Sequence, residues 1–89
     1  MTTKKFTLQE VREIVTNMQQ DGFRVIMLQS DVNEVTIINK RHVTFKVMES
    51  AKYTDRVNVK LIPYGHSENC FLELEWNRET LVDNIAGRL

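Results

Sequence analysis

His42, His66, Glu68 and Cys70 are the residues of this 89-residue chain best equipped for chemistry. Imidazole and thiolate are zinc ligands, and a Cys–His pair can activate a sulfur nucleophile. In an antiparallel meander the reversal at 39–42 and the loop at 63–69 fall at the same end of the sheet. The four side chains could therefore meet there, with Arg41 and Tyr64 close by. The spacing argues against it. No pair has a recognised ligand spacing, and both histidines occupy turn positions where a solvated imidazole is ordinary. Cys70 falls on the core-facing phase of its strand, where a thiol behaves as a small hydrophobe. No metal, cofactor or catalytic residue is expected.

The remaining chemical candidates are weaker. Glu10/Glu13 and Glu73/Glu75 are paired carboxylates, but the first pair is helix surface and capping, and the second is the wet face of a strand. Neither comes with a pocket for acid–base work. Gly22, Gly65 and Gly87 are each accounted for by a helix end or a turn, so no loop cradles a phosphate. Lys40, Arg41, Lys46 and Lys60 form a modest basic set that Tyr64 and Phe71 could extend into a stacking platform for a single strand. Glu73 and Glu75 share that face and would repel phosphates.

Composition sets the outer bounds. Twelve Lys plus Arg balance twelve Asp plus Glu, which leaves no field for steering toward nucleic acid or an anionic membrane. A single cysteine excludes an internal disulfide and a multi-cysteine zinc site, and points to a reducing, cytoplasmic setting. No apolar run approaches the roughly 20 residues of a membrane span, and no h-region follows the first lysines. One domain, 1–89, is expected, since a chain of this size supports a single two-layer core.

The elements that would position any site are well marked. Thr7 and Glu10 form a capping box, and Leu8, Val11, Ile14, Val15 and Met18 recur at helical spacing, so a helix is predicted over 8–21 with Gly22 ending it. Phe23–Leu28 reads as a strand whose consecutive apolar residues imply burial on both sides. Strands follow at Glu34–Asn39, His42–Met48, Arg56–Ile62 and Cys70–Trp76. Val43/Phe45/Val47, Val57/Val59/Leu61 and Cys70/Leu72/Leu74/Trp76 alternate onto one face. Asn77 caps a short final helix carrying Leu81, Val82 and Ile85, with Gly87 at its end. The fold class predicted is α+β: a five-stranded antiparallel meander with the N-terminal and C-terminal helices packed on one face, in the order α-β-β-β-β-β-α.

Register makes the other face readable. With Val59 opposite Leu74, Lys60 lies opposite Glu73 and Asn58 opposite Glu75, and Ile62 and Phe71 both point outward as neighbours. Two short helices cannot cover that side. The expectation is a small non-enzymatic protein-binding module, a regulator or inhibitor that occludes a surface of a larger partner, with a homodimer as one version. Its contact residues would be Ile62, Tyr64, His66, Phe71, Ile26 and Leu28. The alternative is a nucleic-acid-associated protein using Lys40, Arg41, Lys46 and Lys60. Register between the second and third strands stays open, because a one-residue slip exchanges Val35/Ile37 with Thr36/Ile38.

Overall fold

The computed structural model describes residues 5–20, 25–67 and 69–87. Its elements are α1 (Leu8–Gln20), β1 (Val25–Ser30), β2 (Val35–Asn39), β3 (Thr44–Glu49), β4 (Arg56–Ile62), β5 (Leu72–Asn77) and α2 (Arg78–Ala86). The five strands form one antiparallel sheet in the order β1-β2-β3-β4-β5, so the expected α-β-β-β-β-β-α architecture holds. Gly22, Phe23 and Glu68 lie outside the described residues.

The capping box forms as its residue types dictate. The Glu10 amide donates to Thr7 Oγ1 and the Thr7 amide to Glu10 Oε1, each at 3.3 Å. The carboxylate of Glu49 also accepts from the Leu8 amide at 3.4 Å, where the helix dipole favours negative charge. Leu8, Val11, Val15 and Met18 are buried from α1, which lies over β1, β2 and β3. At the far end of the sheet Asn77 Oδ1 accepts from the Thr80 amide at 2.9 Å and starts α2, which buries Leu81 and Ile85. The helices and the inner sheet face share one apolar cluster that includes Val35, Ile37, Phe45, Val47, Val57 and Val59.

The open register is settled by the pairings Val35↔Val47 and Ile37↔Phe45, with all four residues buried. Thr36 and Ile38 therefore sit on the outer face, opposite Lys46 and Thr44.

The doubly buried first strand is a correction. β1 is an edge strand, and Ile26 and Met27 are exposed. Val25 pairs with Asn39 and Met27 with Ile38, so a β-bulge inserts Ile26 as an extra residue. Val25 and Leu28 then both face the core, half-buried, while Met27 points outward. Four apolar residues in a row thus arise from one bulge rather than from burial on both sides.

Two further departures bear on the site. β5 begins at Leu72, because the connection before it is closed by His66 N–H to Pro63 O at 3.1 Å and Cys70 N–H to Ser67 O at 2.9 Å. Cys70 therefore sits in a turn and is exposed, where the strand phase placed it in the core. Leu72, on the helix-facing phase opposite Leu61, is exposed for a different reason. α2 leaves the end of β5 and crosses toward β2, where Ile85 O meets Asn39 Nδ2 at 3.3 Å. The start of β5 is left without a helix above it.

Candidate docking surface

The described members of the chemical cluster considered first are exposed in turns and loops. His42 is exposed in the left-handed region (φ 62°) at the β2–β3 turn, and its ring lies 5.4 Å from that of Tyr64. His66 and Cys70 are exposed on the β4–β5 connection, and Glu68 lies outside the described residues. Among the described residues no group of three His, Cys, Asp or Glu side chains is placed to hold a metal ion. Glu10 is engaged in the cap of α1, while Glu13 is exposed on the same helix.

The basic set is divided between two faces. Lys40 and Arg41 are exposed at the β2–β3 turn. Arg41 turns toward the helix layer: its guanidinium lies where a Cβ on Gly87 would approach within 3.3 Å, beside the C-terminus of α2. A cation there complements the negative end of the helix dipole, and α2 has no basic residue of its own in its last turn. Lys46 and Lys60 instead stand directly opposite each other on the outer sheet face. The ammonium of Lys60 sits 5.1 Å from the centre of the Phe71 ring, a cation–π arrangement, and Glu73 is its cross-strand neighbour.

The apolar residues on the outer face follow the register. Met27, Ile38, Thr44 and Ile62 occupy one row across β1, β2, β3 and β4. Ile62 requires a correction: it has the outward phase, yet only 6% of it is exposed. The His42–Tyr64 ring contact and the Lys60–Phe71 contact engage the side chains two positions away on either side of it along the chain. Ile62 is thus buried apart from the main apolar cluster and offers little surface to a partner. Leu28 is likewise removed from the outer surface, since it faces the helices.

The exposed large apolar residues fall into separate groups: Val32 and Met48 line a groove beside the start of α1, Ile26 and Met27 lie on β1, and the rest lie at the β4–β5 connection. Tyr64 is 70% exposed, Phe71 42% and Leu72 58%, all on or next to the β4–β5 connection, with His66 and Cys70 exposed between them. Ile26 is also exposed, but on the opposite edge of the sheet, about 19 Å away at about 4.8 Å per strand. Leu72 is the residue that sequence reasoning missed. Its alternation reports which way it points, and carries no signal that the overlying helix turns aside.

The chain matches no protein-family model, no curated protein and no solved structure. Among the described residues, no helix is long and apolar enough to cross a membrane.

Proposed function

We propose that this protein is a small non-enzymatic protein-binding module that regulates a larger partner by covering part of its surface. The observation that carries the reading is the exposure of Tyr64, Phe71 and Leu72, three large apolar side chains on or beside the β4–β5 connection, with Phe71 toward the outer sheet face and Leu72 toward the helix face. Scattered apolar exposure is ordinary on a protein surface, whereas several large apolar side chains concentrated at one connection beside polar residues favour a contact site. Aromatic residues contribute disproportionately to such contacts because they bury large area with few rotatable bonds. Occlusion is the simplest mechanism that such a surface can serve. A nucleic-acid reading draws less support, because Arg41 is turned to the helix layer and Glu73 lies beside Lys60 on the sheet face.

The test is affinity capture from the native host with the wild-type chain and with Phe71→Asp/Leu72→Asp, whose folding is verified by circular dichroism. A protein retained by the wild type and lost with the double variant supports the reading. Capture that is identical with both chains sinks it.

A further inference from the structure

The two edges of the sheet are defended differently. β1 carries the bulge at Ile26, and α1 lies against it, with Arg12 donating to Ser30 Oγ and to the Asp31 carbonyl, the latter at 2.6 Å. Bulges of this kind blunt an edge against strand pairing. β5 has no such device. Leu72–Asn77 contains no proline, lysine or arginine, and its pairing with β4 runs from Arg56↔Asn77 to Leu61↔Leu72 with no register shift. Among the described residues, no turn or loop hydrogen bond engages the main chain of 72–76. An edge strand turns alternate N–H and C=O groups outward, and among the described residues none pairs with them.

The side chains specify what would complete that edge. On the outer face β5 presents Glu73 and Glu75, and on the helix face Leu72 and Leu74. β4 satisfies the near side of this pattern, with Lys60 and Asn58 opposite the carboxylates and Leu61 and Val59 opposite the leucines. The far side has no equivalent strand. Glu73 is exposed and makes no ion pair among the described residues, and Leu72 is the most exposed leucine of the sheet. A second copy of this chain fits poorly. Two-fold antiparallel pairing of β5 with itself keeps each face on its own side, so the carboxylates of 73 and 75 would meet carboxylates. Like charges directly opposite one another destabilise a strand pair.

We propose that the free edge of β5 accepts, by strand addition, an extended segment of another protein in which apolar residues alternate with lysine or arginine. The apolar residues would cover Leu72 and Leu74 on the helix face, and a basic one would stand opposite the exposed Glu73, while Glu75 is half-buried and already accepts from Ser50 Oγ at 2.6 Å. Main-chain hydrogen bonds supply affinity in this mode, and the alternation supplies specificity. The inference rests on the protein-binding reading above and names the chemistry of the partner.

The probe is a terminally blocked heptapeptide of alternating valine and lysine, titrated into the isotope-labelled full chain. Binding is expected with new hydrogen-exchange protection of β5 amides. Glu73→Lys should weaken it by about 5-fold or more, since an attractive cross-strand pair becomes a repulsive one. A valine–glutamate peptide should not bind, and methylating alternate peptide nitrogens of the valine–lysine probe should abolish binding. Besides failure of the peptide to bind, three results would overturn strand addition: equal binding of the methylated peptide, binding without protection in β5, or a protein already dimeric through an edge that Leu72→Asp disrupts. Should the peptide fail while capture from the host still depends on Phe71 and Leu72, strand addition falls and the docking reading stands. Should capture prove independent of both residues, the docking reading falls as well.

Discussion

The side-chain amide of Asn39 donates to the main-chain oxygen of Ile85 at 3.3 Å, joining the end of β2 to the last turn of α2. Its Oδ1 accepts at 3.0 Å from the amides of both Arg41 and Val43, so the same side chain closes the β2–β3 turn. Asn39 is the one buried polar residue in the described structure, and every polar atom of its side chain is used. Replacing it with alanine strands two N–H donors and one carbonyl. Asn39→Ala should therefore cost about 2–4 kcal/mol, seen in urea denaturation as a lower midpoint with an unchanged slope. Asn39→Asp keeps the turn acceptor but loses the bond to α2. Its amide exchange should rise in Leu81–Ala86 more than in β2 and β3.

Arg41 and Gly87 form the neighbouring contact. Gly87 caps α2 with φ 73°, a conformation that a Cβ disfavours by about 1–2 kcal/mol. A Cβ there would also crowd the Arg41 guanidinium at 3.3 Å. Gly87→Ala should thus destabilise the chain by about 1–2 kcal/mol from backbone strain, with a further part from the crowding. In an Arg41→Ala background the penalty should shrink without vanishing. Equal penalties in the two backgrounds would show that the guanidinium simply moves aside.

How much of this was readable in the sequence differs from strand to strand. β4 is bounded as expected, because Val57 and Val59 alternate with polar residues and the flanks are turn formers. Its register against β5 followed from setting inward Val59 opposite Leu74, which puts Lys60 opposite Glu73, and the structure has both pairings. The reading failed where a local pattern has two physical causes. Val25 to Leu28 looks the same whether a strand is buried on both sides or a bulge reverses its phase. Leu72 fails for a different reason: alternation fixes direction, while cover depends on where α2 runs. That path is held by the Asn39–Ile85 bond between residues 46 apart in sequence, which no local pattern encodes.

Cys70 offers a direct check on the corner where docking is proposed. The turn closed by its own amide on Ser67 O holds it outside β5 and exposes it. The folded protein should react with one equivalent of a thiol reagent as quickly as the denatured chain does, within about a few-fold. Alkylation with a small reagent should leave the denaturation midpoint unchanged. Protection until unfolding would place the thiol in the core and bring the start of β5 under cover.

Ile26 tests whether the bulge defends the β1 edge. Because Val25 pairs with Asn39 and Met27 with Ile38, removing Ile26 leaves an unbroken ladder in which Val25 and Leu28 still face the helices. No core residue is lost, so deletion of Ile26 should change stability by only about 1 kcal/mol. The consequence should lie in association. A bulge bends and twists its strand, and a regular edge presents its free N–H and C=O groups in line. Sedimentation velocity over a concentration series should show the deletion variant self-associating where the parent does not. Identical profiles, with the variant folded, would mean that α1 and the Arg12 contacts to Ser30 and Asp31 shield that edge without help from the bulge.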